Sequence, residues 1–250
     1  MHSQTPWLTC CCFNLLCDSK ISDDRKSWSF VVNIDFKGDI EMITSMTADL
    51  ENQRKLFVST VHQYIKRDGI EDLLTWLDST DFYTAPASTK YHGSHAGGLA
   101  EHCLAVYHEL VFLMSGYNGF TDSEHAPKWH QKSDARYTME NVAIVALFHD
   151  LCKVGTYKVD YRNVKKDGEW VSEPYYTHSE TFKYGGHGSK SVYQCMRFIQ
   201  LLPYEAAAIN AHMGAFDQST YSQPSTVYGD NPLAWLLHVA DESATYVLDK

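Results

Sequence analysis

Residues 143–155 read AIVALFHDLCKVG and predict the centre of the fold. An apolar run ends in this stretch at two adjacent residues, His149 and Asp150. A run that lacks a polar face is typical of a helix buried on all sides. An Asp at the end of such a helix is costly to bury and lies at the unfavourable end of the helix dipole, so a cation is its natural partner. The stretch therefore predicts a central helix over residues 137–151 with a cation site at its end.

The segments on both sides of this central helix are also mostly helical in pattern. Apolar residues recur at spacings of three, four and seven, which is typical of amphipathic helices. The further helices that we expect cover residues 47–68, 70–77, 99–114, 188–201, 204–212 and 232–248. Residues 156–176 instead alternate as strands do, on both sides of Asp167-Gly168, a dipeptide favoured in hairpin turns. The expected fold class is therefore mainly α, a helical bundle with a small β-hairpin insert.

Composition and charge limit the classes of partner. The chain has 250 residues, of which 44% are hydrophobic and 21% charged, enough for one large domain. Its net charge of −10 argues against duplex DNA or an anionic membrane as the main partner. The sequence has no apolar run of about 18 residues or more, so we expect no transmembrane helix. The uneven distribution of the seven cysteines is typical of a reducing compartment, and we expect a cytoplasmic protein.

The beginning of the chain differs from the rest. Residues 1–45 combine a Cys-rich apolar start with a polar stretch, and the adjacent Cys10, Cys11 and Cys12 lack the two-residue gap of a zinc site. Met42 and Met46 precede the first helical pattern, so one hypothesis is that the extension over residues 1–45 is dispensable. We expect the functional domain to cover residues 46–250.

Six candidate metal ligands occur at the ends or in the cores of the expected helices. They are His102, His149, Asp150, His187, His212 and Asp241. Imidazoles and carboxylates suit Mn²⁺, Fe and Zn²⁺, and suit Mg²⁺ less well. Adjacent His and Asp side chains at a helix end can point into one cavity, where the two carboxylate oxygens can each hold a different ion. Two such ions about 3.5 to 4 Å apart can activate a water and bind the substrate's oxygens.

The motifs around these residues resemble, in order, those of the HD superfamily of metal-dependent phosphohydrolases. They read GGLAEHCLAVYH (97–108), ALFHDLCKVG (146–155), GHGSKSV (186–192), INAHMGAF (209–216) and LLHVADESATY (236–246). The resemblance spans roughly residues 80–248 and implies the HD-domain helical bundle with two divalent metal ions, Mn²⁺, Fe²⁺ or Mg²⁺. By this resemblance, His102, His149, Asp150 and Asp241 serve the first ion, and Asp150, His187 and His212 serve the second.

The reaction that the resemblance implies is hydrolysis of a phosphoester bond, in a nucleotide or at an oligonucleotide end, by a metal-activated hydroxide. Asp150 would bridge the metals, and Lys153, at the place of the Lys in the family's HDxxK pattern, would contact the phosphate. The GGLAEH opening resembles bacterial HD-type 3′-5′ exoribonucleases, but no OB-fold pattern precedes it, which argues against a processive nuclease. Nucleotidase and cyclic-dinucleotide phosphodiesterase activities remain open. The sequence has neither a GxSxG elbow nor a Walker-type loop.

Residues outside the ligand set could bind the substrate. Lys90, Tyr91, His92 and His95 precede Gly97-Gly98, where a helix N-terminus would present N–H groups to an anion. Further candidates are Lys153 itself, Tyr157 at the start of the hairpin, and the basic and aromatic residues that come after it, Lys158, Tyr161, Arg162, Lys165, Lys166, Tyr175, Tyr176 and His178. Such a hairpin could stack on a nucleotide. The same alternation is also common in half-exposed hairpins.

We expect different roles for two residues near Asp241. His238, one turn earlier, is a candidate to orient the Asp241 carboxylate. Glu242 is expected to face outward as a solvated charge.

Two other functions are compatible with the same ligand types. A few HD-fold proteins with this order of ligands hold two irons and use O₂, so a di-iron oxygenase is one alternative. A non-catalytic nucleotide-sensing domain is the other. The oligomeric state stays open.

Overall fold

The computed structural model describes residues 50–118, 137–179, 185–217 and 224–248. These residues belong to one compact unit and form eight α-helices and one two-stranded antiparallel sheet. The expectation of a mainly α fold with a small β-hairpin is confirmed. The expected extension over residues 1–45 lies outside the described residues. None of the described helices is long and apolar enough to cross a membrane.

The elements occur in the expected order along the chain. The helices are α1 Leu50–Tyr64, α2 Ile70–Asp78, α3 Gly98–Asn118, α4 Met139–Phe148, α5 His187–Met196, α6 Pro203–Ala211, α7 Pro224–Asp230 and α8 Pro232–Ser243. The strands are β1 Tyr157–Lys166 and β2 Glu169–His178. Helix α7 lies where we expected a loop, and its first residue is a proline, which is favoured at the first position of a helix. Helix α5 ends earlier than expected.

Helix α4 is the buried centre of the fold. Its residues from Asn141 to Phe148 are all buried, and it packs against α1, α3, α6 and α8. Thr138 and Asn141 fix its beginning, because each side chain accepts a hydrogen bond from the other's backbone N–H. Helix α4 therefore carries the residues directly after it, His149 and Asp150, into the interior.

A buried ion pair ties α6 to the residues between α1 and α2. Glu205 on α6 is fully buried, and Arg67 donates to its two carboxylate oxygens at 2.5 and 3.1 Å. The Asn141 side chain and the backbone N–H of Leu202 complete its hydrogen bonds, at 2.8 and 2.7 Å. Burial of the carboxylate is therefore matched by one cation and two neutral donors.

Removal of this cation should destabilise the fold. We expect Arg67→Ala to lower the free energy of unfolding by about 3 to 5 kcal/mol, because it leaves Glu205 buried without a counter-charge. Lys55→Ala, which removes a solvent-exposed pair with Glu51, should cost about 1 kcal/mol or less. Urea titrations followed by circular dichroism measure both values. Equal losses in the two variants would contradict this account of Glu205.

Candidate metal centre

Five of the six expected ligands meet in the interior of the helical bundle. His102 lies on α3, His149 and Asp150 come directly after α4, His212 directly after α6, and Asp241 lies on α8. All five side chains are buried. Their ligand atoms form two groups of three, each within 4.8 Å, namely His102 with His149 and Asp150, and His149 with His212 and Asp241. We refer to these five residues as the His/Asp cluster. The cluster could hold a metal ion.

The carboxylate of Asp150 lies between different imidazoles. Its Oδ2 is 3.6 Å from Nε2 of His102 and 3.5 Å from Nε2 of His149. Its Oδ1 is 3.6 Å from Nε2 of His212. Oδ1 of Asp241 is 3.1 Å from Nε2 of His102 and 3.9 Å from Nε2 of His149. The two oxygens of Asp150 therefore face different histidines, as a carboxylate that bridges two ions requires.

Backbone contacts orient two of the imidazoles. Nδ1 of His149 is 2.7 Å from the carbonyl oxygen of Ala146, and Nδ1 of His212 is 2.7 Å from that of Ile209. A ring that donates from Nδ1 leaves a lone pair on Nε2, as a metal ligand requires.

The Nε2 atoms of the cluster histidines fit a cation. Those of His102, His149 and His212 are buried and have no hydrogen-bond partner in the described part of the chain. An unsatisfied buried polar atom costs about 1 to 3 kcal/mol, so three of them facing two carboxylates are suited to hold an ion. The chemistry of the donors, imidazole and carboxylate, is that of a first-row transition metal or Mg²⁺ site.

Neighbouring side chains stabilise the negative charges of the two carboxylates in the cluster. Burial alone would raise the pKa of Asp150, but Lys153 and His149 lower it well below its usual value. Burial opposes a charge on His149, yet the Asp150 carboxylate raises the pKa of this imidazole on balance. For Asp241, burial would likewise raise the pKa, but His102 and His149 lower it. Both carboxylates are therefore ionised.

Lys153 is part of this charge balance. It ends a short 3-10 turn after α4, and its ammonium Nζ is 2.6 Å from Oδ2 of Asp150. Burial alone would lower the pKa of Lys153, but Asp150 raises it, so the ammonium stays charged. The structure thus places Lys153 beside the cluster, where its expected contact with a phosphate remains a prediction.

His187 lies beside the cluster and belongs to neither group of three. Nδ1 of His187 is 3.6 Å from the Cys152 thiol, which is itself 3.6 Å from Oδ1 of Asp150. The backbone N–H of His187, at the start of α5, donates to Asp217 at 2.9 Å. His187 thus lies beside the cluster with Nδ1 at the thiol of Cys152, and its expected role as a ligand of the second ion stays a prediction.

The loop before α3 exposes the three residues expected to bind substrate there. Lys90 is exposed, and Tyr91 is 81% exposed. His95 is occupied, since its Nε2 is 3.3 Å from the Glu101 carboxylate and its Nδ1 is 3.1 Å from the carbonyl oxygen of Ala96. These three residues therefore form the outer surface of the loop.

The start of α3 does not present free N–H groups to an anion, so this expectation is wrong. The amides of Gly97, Gly98 and Leu99 donate to the carbonyl oxygens of Thr84, His95 and Ala85, at 3.0 to 3.2 Å. The loop approaches so closely that a Cβ on Gly98 would lie 2.0 Å from the Gly93 oxygen. The two glycines at this position thus serve close packing of the loop on the helix.

His92, which precedes α3 in the same loop, faces the cluster. The ring of His92 lies 4.8 Å from that of His102, and both of its nitrogens are buried without a hydrogen-bond partner in the described residues. Burial lowers the pKa of His92 to about 4. Nothing in the spacing of the sequence distinguishes His92 from His95. Tyr157, which we did expect, has its hydroxyl 3.5 Å from the carbonyl oxygen of Ala87 in this loop.

The two residues near Asp241 differ from expectation. Nδ1 of His238 lies 2.7 Å from the carbonyl oxygen of His212, so His238 supports the backbone of that histidine and does not orient Asp241. Glu242 lies outside the cluster, as expected, but it is half-buried in a shallow groove beside Trp235, and burial raises its pKa.

Comparisons with protein-family models, with curated proteins and with solved structures found no match to this chain. The site is therefore described by its own geometry.

The geometry predicts a metal site that depends on Asp150. We expect the wild-type protein to bind Mn²⁺ in isothermal titration calorimetry and to gain thermal stability from it. Loss of a residue that only orients a metal ligand lowers metal affinity about 10- to 100-fold. Asp150 is an expected ligand itself, so Asp150→Ala should weaken Mn²⁺ binding by more than about a hundredfold.

Glu242→Ala is the matched control, because it removes a carboxylate next to the cluster that faces away from it. We expect wild-type affinity for Mn²⁺ in this variant. Equal losses in the two variants, with folding intact by circular dichroism, would mean that the ligands are assigned wrongly.

Proposed function

We propose that the protein is a metal-dependent phosphohydrolase that cleaves a phosphoester bond in a nucleotide or at an oligonucleotide end. The observation that supports this most is the Asp150 carboxylate, whose two oxygens face different buried imidazoles. This geometry suits two ions that share one carboxylate, an arrangement that favours displacement at phosphorus. The resemblance of the motifs to the HD superfamily points to the same reaction.

Different residues of the chain have different roles in this reaction. Bound divalent ions, Mn²⁺, Fe²⁺ or Mg²⁺, would supply an activated water and positive charge for the phosphoryl oxygens. Asp150 and Asp241 hold negative charge in the cluster, and the backbone contacts of His149 and His212 keep Nε2 available. Lys153 supplies a fixed positive charge beside Asp150, which is suited to stabilise charge that develops on the phosphoryl group. The buried apolar walls from α4 limit access of bulk water.

The hairpin favours an oligonucleotide over a mononucleotide as substrate. Alternate residues of a strand share a face, so the register of the two strands places one set of rings together. This set, which we call the aromatic face, comprises Tyr157, Tyr161, Trp170 and Tyr176. It begins at Tyr157 near Lys153 and extends outward to Tyr161 and Trp170, which are 67% and 73% exposed. Exposed rings in a row provide a stacking surface for successive bases.

The basic residues of β1 lie on both faces of the hairpin. This strand carries Lys158, Arg162, Lys165 and Lys166 against one acidic residue, Asp160; Lys165 shares the aromatic face with Trp170, and the other three lie on the opposite face. Lys166 pairs with Glu173 across the hairpin, and Arg162 lies over the ring of Tyr175. In a chain with a net charge of −10, this strand is a local concentration of basic residues. We therefore propose that a single-stranded end runs along the hairpin toward the His/Asp cluster.

Hydrolysis by metal-reconstituted protein tests the reaction. We expect protein that is stripped of metal and reloaded with Mn²⁺ to cleave bis(p-nitrophenyl) phosphate, and Asp150→Ala to be inactive. Lys153→Gln should bind Mn²⁺ normally but lose about a hundredfold in rate, the effect of removing one group that stabilises transition-state charge.

Other outcomes would contradict the proposal. Iron-dependent O₂ consumption with an organic substrate, without phosphoester cleavage, would favour the di-iron oxygenase. Nucleotide binding by metal-loaded protein without turnover would favour the sensing domain.

Loss of the aromatic face tests the choice of substrate. We expect the double variant Tyr161→Ala, Trp170→Ala to bind a fluorescently labelled single-stranded oligonucleotide at least about tenfold more weakly in anisotropy titrations, because stacking is worth about 1 to 3 kcal/mol per base. Cleavage of bis(p-nitrophenyl) phosphate should not change.

The matched control is Val171→Ala, since Val171 is 43% exposed on the opposite face of the same hairpin. We expect it to bind the oligonucleotide as the wild type does. A double variant that binds normally would rule out the stacking surface, and one that instead changes the sedimentation of the protein would identify this face as a contact between copies of the chain.

A further inference from the structure

His92 is a buried polar group that the fold itself leaves without a partner. Neither of its ring nitrogens has a hydrogen-bond partner in the described residues, although both are shielded from solvent. Its neighbours Lys90 and Tyr91 are exposed, so the loop turns this one ring inward. Because an unsatisfied imidazole is costly to bury, a partner that is not part of the described chain is expected at this ring.

The loop is built so that His92 is held in this position. Ser88 Oγ donates to the carbonyl oxygen of His92 at 2.7 Å and accepts from the backbone N–H of Tyr91 at 2.8 Å. The backbone N–H of Ala87 donates to Gly93 at 2.9 Å and closes the loop. Gly93 has a φ of +54°, and a Cβ there would lie 2.7 Å from that of Ala87, so glycine suits this position. The orientation of the ring is therefore fixed by the backbone before any ligand binds.

The position of His92 separates it from the metal ligands. It belongs to neither group of three in the His/Asp cluster, whereas its ring packs on that of His102. Lys153, Asp150 and Asp241 all lie near enough to influence its charge. His92 thus lies beside the cluster, at His102. A ligand held by both His92 and Lys153 would meet a hydrogen-bonding group and a cation at once, which suits an oxyanion.

We infer that His92 is a substrate-binding residue that donates a hydrogen bond to a phosphoryl oxygen of the substrate. This inference rests on the proposed phosphohydrolase function, which it deepens by assigning one contact to the phosphate. A neutral imidazole has one N–H donor and one lone pair, so the other nitrogen accepts from a hydroxyl group or a water. His92 thereby holds the phosphate on the side of His102, opposite the positive charge of Lys153.

Two replacements of His92 separate hydrogen bonding from packing. His92→Phe keeps an aromatic ring against His102 but has no nitrogen, and His92→Gln keeps an N–H donor but has no ring. The probe is inorganic phosphate, titrated calorimetrically into the full-length protein loaded with Mn²⁺. Mn²⁺ affinity and thermal unfolding are measured for each variant, and Thr84→Ala is the control for an exposed change in the same segment between α2 and α3.

We expect His92→Phe to weaken phosphate binding about tenfold or more, as loss of a hydrogen bond to a charged group does. His92→Gln should retain most of the affinity, Thr84→Ala all of it, and Mn²⁺ affinity should stay within about twofold in every variant. The opposite order, in which Phe substitutes well and Gln does not, would overturn the inference in favour of packing. A parallel loss of Mn²⁺ affinity would overturn it in favour of metal ligation, and so would failure of the wild type to bind phosphate.

The hydrolysis assay distinguishes the phosphate contact of His92 from the proposed hydrolysis reaction. Phosphate binding that depends on His92 in a protein without turnover would refute the proposed reaction and keep the phosphate contact. Turnover that is unaffected in His92→Phe, with unchanged phosphate affinity, would refute the contact and keep the reaction.

Discussion

The ionised carboxylate of Asp150, buried at the end of the most apolar helix, is the constraint on which the site depends. Helix α4 is surrounded by other helices, so its last residues enter the interior whatever their polarity. A buried carboxylate requires positive charge, and Lys153 at 2.6 Å supplies one cation. Three imidazole Nε2 atoms nevertheless remain unsatisfied around the two carboxylates. The described fold therefore provides more electron-donor atoms than its own groups satisfy, and the cluster could hold a metal ion.

A loop and the hairpin lie next to the His/Asp cluster. The loop that contains His92 closes over the His102 side, and the hairpin begins where Tyr157 meets the same loop. The strands then pack mainly against each other, which leaves the aromatic face exposed. The hairpin thus has exposed rings at its outer part and begins beside the loop that contacts the cluster. This arrangement suits a reaction in which one end of a long substrate must reach metal ions while the rest stays in solvent.

Features that depend on local patterns were predicted best from the sequence. The unbroken apolar run before His149 identified α4, and Asp167-Gly168, both with positive φ, identified the hairpin turn. The surroundings of individual side chains, which depend on how elements pack, could not be predicted from the sequence. The amides at the start of α3 are occupied because the preceding loop folds onto them, which no spacing reveals. His187, His92 and His95 look alike in sequence, and only tertiary packing decides that His92 faces the cluster, that His95 pairs with Glu101 and that His187 contacts Cys152.

The central claim is that Asp150 and the imidazoles around it bind divalent metal. Diffraction from crystals grown with Mn²⁺, recorded where manganese scatters anomalously, tests it most directly. The account predicts anomalous density within about 2.0 to 2.2 Å of an Asp150 oxygen and of Nε2 of at least one of His102, His149 and His212. A cluster without anomalous density, with Lys153 as the sole cation at Asp150, would contradict it.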